Sequence, residues 1–131
     1  MEVPFLDLKA QNRDLKSDIL PLWEEILDSA GFIGGKNVSA FEDAFAKTCS
    51  VKHCITVGSG TDALRFILIA LGVEPGDEVI TVPNTFIATT EAITQAGGKI
   101  VFVDVDPKTY NMSPQNIEAA ITDKTKALLP V

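Results

Sequence analysis

From residue 53 onward, short unbroken apolar runs alternate with stretches of helical periodicity. HCITV (53–57), EVITVP (78–83), KIVFVDVD (99–106) and the opening of KALLPV (126–131) are β-like. Between them, three segments predict helices: Gly60–Leu71, Phe86–Ala96 and SPQNIEAAI at 113–121. The first is apolar almost all round, with Arg65 its only charge past the first turn, so it is expected to be buried on most sides. Gly97-Gly98 ends the second. Ser113 as N-cap and Pro114 at the first position open the third. The order β-α-β-α-β-α-β, with each strand a continuous apolar run, implies a mostly parallel sheet with helices on both faces and right-handed crossovers.

The first fifty residues follow a different rhythm. Asn12–Ser29 carries Leu15, Ile19, Leu22, Trp23, Ile26 and Leu27 at helical spacing. Pro21 lies inside that run and predicts a kink or break. AGFIGGKN is a glycine-marked loop, and Asn37–Thr48 is a second helix with Val38, Phe41, Ala44 and Phe45 on one face. The expected division is 1–52, an N-terminal helical segment with an interface loop, and 53–131, an α/β unit. The chain stops at Val131 within an expected core strand, which suggests the front piece of a longer protein.

Composition narrows the class. The 131 residues, 46% of them hydrophobic, suffice for one cored domain. Eighteen acids against eleven bases give a formal charge of −7, which argues against nucleic acid as a main partner. The opening MEVPFLDLKAQ lacks a signal peptide's basic start and apolar centre, and FILIALGV is too short to cross a bilayer. A cytoplasmic protein without a membrane partner is expected. Cys49 and Cys54 read as reduced, buried thiols, and His53 as a strand-edge residue. One His and two Cys provide no metal-ligand quartet, so no metal is expected.

VGSGTDAL (57–64) sits at the junction of an expected strand and helix. Ligands of parallel α/β sheets bind beyond the carboxyl ends of the strands. A helix start offers unpaired N–H groups and partial positive charge, the glycines allow close approach, and the Ser59 and Thr61 hydroxyls can donate. The same residues also make a plain capping box, Ser59-x-x-Asp62. An acid so close opposes a phosphate, so Asp62 is expected to offer its backbone N–H and turn its carboxylate away. No Walker loop is present. Gly58-x-Gly60-x-x-Ala63 matches a loose dinucleotide fingerprint, but the second strand ends Val82-Pro83-Asn84-Thr85 without the ribose-binding acid. A compact cofactor with one phosphate and an aromatic ring suits the junction better. Its phosphate would sit at Thr61 and its ring against Phe86, although periodicity alone favours Phe86 as ordinary core at a helix start.

The blocks GFIGGKNVSAFEDAFA, VGSGTDAL, LGVEPGDEVITVPNTFIAT, GGKIVFVDVDPKTYNM and ITDKTKALLPV together resemble, in order and spacing, the DegT/StrS-type sugar aminotransferases. The resemblance spans essentially the whole chain. It implies an incomplete N-terminal part of an aspartate-aminotransferase-like large domain that binds pyridoxal 5'-phosphate. It implies that Gly60, Thr61 and the Asp62 backbone hold the phosphate, that Phe86 stacks on the pyridine, and that the Gly31–Gly35 loop lies near the active site at a homodimer interface. The implied chemistry moves an amino group from an amino acid, usually glutamate, to a nucleotide-linked keto-sugar. The Schiff-base lysine is expected beyond Val131, so no catalytic residue is assigned here and the chain alone is expected to be inactive. Lys36 stands where the family usually has proline, and Asn12 where an aromatic is common. A sugar dehydratase of the same family and a nucleotide- or phosphate-binding module without chemistry are the alternatives.

Overall fold

The computed structural model describes residues 3–131. The chain forms two compact units, one ending at Thr56 and the other running Val57–Val131.

The first unit is helical. Helix α1 spans Leu8–Ser29, with the Asp7 carboxylate accepting from the Ala10 N–H at 3.1 Å. It runs unbroken through Pro21, against the expected break. The proline ring removes one N–H, and the helical bonds on either side carry the helix across. Helix α2 spans Lys36–Thr48 and starts from Gly35, whose φ of 85° suits only glycine. Phe41 and Phe45 stack on its surface with ring centroids 5.5 Å apart. HCITV is not a strand. The Thr56 N–H and hydroxyl both donate to the Glu42 carboxylate at 2.8 Å, so that amide is spent on a side chain and not on a ladder. Those bonds hold the Glu42 carboxyl below its ordinary range, the backbone N–H contributing most. His53 is therefore exposed outside any sheet, and Cys49 and Cys54 are unpaired, the first exposed and the second half-buried.

The second unit is the α/β body. It runs α3 (Gly60–Ala70), β1 (Glu78–Thr81), α4 (Ala88–Gln95), β2 (Lys99–Phe102), α5 (Pro114–Ala120) and β3 (Thr125–Leu128). The sheet order is β2-β1-β3, and both pairings are parallel. Every residue of β1 is buried. Its alternation sends Val79 to one face, among Leu68, Val73, Ala92 and Ile93 from the α3–α4 side. Ile80 and Val82 go to the other face, with Val103 and Met112, and Ile117 and Ala120 of α5 pack there. Helices thus cover both faces, as the continuous apolar runs imply. Several boundaries differ from expectation. The helix after β1 starts at Ala88, not Phe86, and β2 ends at Phe102, because beyond it Val105 pairs instead with Met112 in an antiparallel bridge. Ser113 holds the N-cap position of α5 with Pro114 after it, as expected, but its hydroxyl donates to the Gln115 side chain at 3.0 Å and accepts no helix N–H.

Helix α3 departs most from its prediction. Only Leu68 is buried, and Phe66, Ile67, Ile69 and Leu71 remain exposed. Periodicity marks a residue as apolar, but burial needs a neighbour on every side, and among the described residues α3 packs its Leu64–Leu68 face against α4 and the sheet and leaves the rest bare. No helix among the described residues is long and apolar enough to cross a membrane.

Polar contacts pin the entrance of β1. Glu78 is buried and accepts from Lys99 Nζ at 2.9 Å and from the Thr122 hydroxyl at 2.7 Å. The Lys99 bond, then the Thr122 bond, hold its carboxyl below the ordinary glutamate value. Glu78 therefore contributes stability above that value and loses it as pH falls through the lowered one. Glu78→Gln is expected to lower the urea midpoint at pH 7, with the gap to wild type narrowing as pH falls below the ordinary glutamate range. Just past the C-terminal end of α4, next to Lys99, a Cβ on Gly98 would stand 2.9 Å from Val73 Cγ1 and 3.2 Å from Ile93 Cγ2. Gly98→Ala is expected to cost about 1–3 kcal/mol in denaturant unfolding, as overpacked cores do.

Candidate functional site

The start of α3 is built from four residues. Ser59 precedes it in extended backbone, φ −163° and ψ 168°, and its Oγ accepts the Asp62 N–H at 3.1 Å. That is the forward half of the capping box. The hydroxyl proton of Ser59 remains available to a second partner. Gly60 and Thr61 occupy the first two helical positions, where an N–H has no acceptor one turn back. A Cβ on Gly60 would meet nothing within 4 Å, so the space above those amides is open. A Cβ on Gly58 would instead lie 2.9 Å from Asp62 Oδ2. The Asp62 carboxylate thus folds back against Gly58, and its other oxygen lies 3.6 Å from Arg65 Nη2.

Phe86 lies beyond the carboxyl end of β1. Its carbonyl accepts the Thr89 N–H at 3.1 Å, which fixes the main chain just ahead of α4. The Thr85 and Thr89 hydroxyls share a 2.7 Å hydrogen bond that closes the same turn. Phe86 is 76% exposed in this chain. Thr85 and Thr89 escaped the sequence reading, although their spacing of four is the available signal.

Packing brings the two segments to one end of the unit. Helix α4 leaves the carboxyl end of β1 and returns to start β2, so it runs against the strands. Helix α3 packs along it. Residues just past the two helices also meet, since a Cβ on Gly97 would touch Pro75 at 3.3 Å and one on Gly98 would touch Val73. With their C-terminal ends together, the side-by-side helices start at the carboxyl end of β1. The expected strand at 53–57 plays no part in this placement. The arrangement joins unpaired amides, two hydroxyls and an exposed aromatic ring, donors for a small anion beside a flat apolar surface. The Gly31–Gly35 loop belongs to the other unit.

Residues 13–131 match the model of the DegT/DnrJ/EryC1/StrS aminotransferase family. The chain belongs to that family. It is 48% identical over its whole length to a pleiotropic regulatory protein of Geobacillus stearothermophilus, covering 35% of that protein. It is 46% identical over 98% of its length to the UDP-2-acetamido-2-deoxy-3-oxo-D-glucuronate aminotransferase of Pseudomonas aeruginosa, covering 36% of it. Among solved structures, NtdA from Bacillus subtilis with bound cofactor PMP superposes with a TM-score of 0.94 at 39% identity, over 98% of this chain and 30% of that one. The chain thus spans about a third of the length of the curated relatives it matches. As a family member it carries the aspartate-aminotransferase-like α/β architecture that its sequence blocks imply.

The cap is testable alone. Ser59→Ala removes the acceptor of the Asp62 N–H and is expected to cost about 1 kcal/mol, read from urea unfolding followed by circular dichroism.

Proposed function

We propose that this chain is the phosphate- and ring-binding part of a pyridoxal-phosphate aminotransferase that moves an amino group from an amino acid, glutamate by preference, to a nucleotide-linked keto-sugar. The observation that carries the proposal is the open helix start at Gly60-Thr61 sharing one end of the unit with the exposed Phe86 ring. The family supports the reaction class, and the PMP bound in NtdA supports the cofactor. The Pseudomonas aeruginosa relative, named as acting on a UDP-linked 3-oxo sugar, supports the substrate class and favours amino transfer over dehydration.

The residues suit that cofactor. A Cβ on Gly60 would meet nothing within 4 Å, so there is room beside the main chain for a phosphate to approach. The Gly60 and Thr61 N–H groups and the Thr61 hydroxyl would donate to its oxygens, and the positive end of the α3 dipole favours its charge. The Asp62 N–H already donates to Ser59, so in this arrangement the Ser59 hydroxyl stands where the Asp62 amide was expected to act. Phe86 would cover one face of the pyridine, holding it flat and shielding it from water. When bound, pyridoxal phosphate supplies an electron-storing ring. The chain's own part is to anchor the phosphate and orient that ring, so that groups elsewhere in the polypeptide can move protons at a fixed distance. A cytoplasmic homodimer belongs to the same proposal. Trp23, Phe32 and Ile33 are 61%, 66% and 95% exposed, which supports burial against a second subunit.

Two substitutions test the assignment in the full-length polypeptide. Thr61→Ala is expected to weaken pyridoxal phosphate about tenfold or more, the worth of a hydrogen bond to a charged group. Phe86→Ala is expected to weaken it about threefold to tenfold through lost stacking. Equilibrium titration followed by the bound cofactor's absorbance measures both. Unchanged affinity in both variants would remove the site from this end of the sheet.

A further inference from the structure

The cradle has an electrostatic fault of its own making. Asp62 sits in the first turn of α3, where the proposed phosphate would lie. Two anions at one helix start repel each other, and the helix dipole that favours one is shared by both. The carboxylate uses the space that the missing Cβ of Gly58 leaves, since a Cβ there would stand 2.9 Å from Oδ2. Its remaining neighbour is Arg65, three residues on, with Nη2 3.6 Å from Oδ1. That distance makes an ion pair but exceeds a good hydrogen bond. Arg65 Nε is buried and has no acceptor, so the guanidinium keeps donor capacity unspent. Its Cζ rests 4.6 Å from the Phe66 ring centroid, which holds the planar group in place.

Resting on the cofactor reading above, we propose that Arg65 is a positioning residue for the phosphate cradle: it holds the folded-back Asp62 carboxylate in an ion pair and offsets its charge, so that the Gly60-Thr61 end of α3 accepts an anion. Ser59 restrains the Asp62 main chain, Gly58 admits the folded-back side chain, and Arg65 neutralises it. The Arg65 and Asp62 side chains are 33% and 39% exposed, so solvent screens the pair and limits the effect to several-fold.

The test is a set of binding titrations on the full-length polypeptide, with pyridoxal phosphate and with pyridoxal, which lacks the phosphate. Arg65→Gln is expected to weaken pyridoxal phosphate by about two- to fivefold at low salt and to leave pyridoxal unchanged. The difference should shrink at high salt. Arg65→Lys keeps the charge and should retain most of the affinity. Adding Asp62→Asn to Arg65→Gln should restore it, because the carboxylate to be offset is gone. Wild-type affinity in Arg65→Gln overturns the inference, as does an equal loss for both ligands or a failure of the double variant to recover. Thr61→Ala separates the levels. If it weakens pyridoxal phosphate while Arg65→Gln does not, only the role of Arg65 falls. If neither weakens it, the cofactor site itself is misplaced.

Discussion

Everything in the second unit is organised by the complete burial of one four-residue strand. β1 is paired on both edges and covered on both faces, so each of its side chains has one permitted environment. Val79 must meet the α3–α4 layer and Ile80 the α5 layer, and a shift of one residue would exchange them. The entrance of the strand is fixed as firmly. The Glu78 N–H donates to the Lys124 carbonyl at 2.8 Å while its carboxylate binds Lys99 and Thr122, which ties β2 and the approach to β3 to the same point. At the exit, the Thr81 hydroxyl donates to the Leu129 carbonyl at 2.8 Å. With the strand's direction and register set, its carboxyl end becomes the place where the functional residues collect.

Those residues divide the work between backbone and side chain. At the start of α3, side chains prepare the site and main-chain groups remain free for the ligand. Ser59 takes one amide, and Gly58 and Arg65 accommodate the carboxylate of Asp62. At the start of α4 the roles reverse. The Thr89 N–H bonds back to the Phe86 carbonyl, the Thr85 and Thr89 hydroxyls bond each other, and Phe86 is left 76% exposed. Rigid backbone under an exposed ring suits a stacking surface, because the ring loses little freedom when a flat partner arrives.

A chain covering about a third of its relatives' length exposes Phe66, Ile67, Ile69 and Leu71 on α3 and most of the apolar stripe of α1. The stripe of α1 has helical spacing whether or not a partner covers it, which is why the sequence can announce the face without saying what meets it.

The amino-acid sequence alone determined the helix–strand alternation from residue 60, the parallel sheet, the cap at Ser59, the family blocks and the candidate residues Gly60, Thr61, Asp62 and Phe86. These are local or periodic properties, carried by φ preferences, side-chain spacing and hydrogen-bonding groups near in the chain. Tertiary structure alone decided that HCITV is no strand, that Pro21 leaves α1 whole and that α3 is largely bare. A strand exists only if another backbone takes up its amides, and at Thr56 the Glu42 carboxylate took one first. Burial and charge pairing likewise belong to whichever surfaces and side chains happen to be adjacent, and a linear pattern holds no record of adjacency in space.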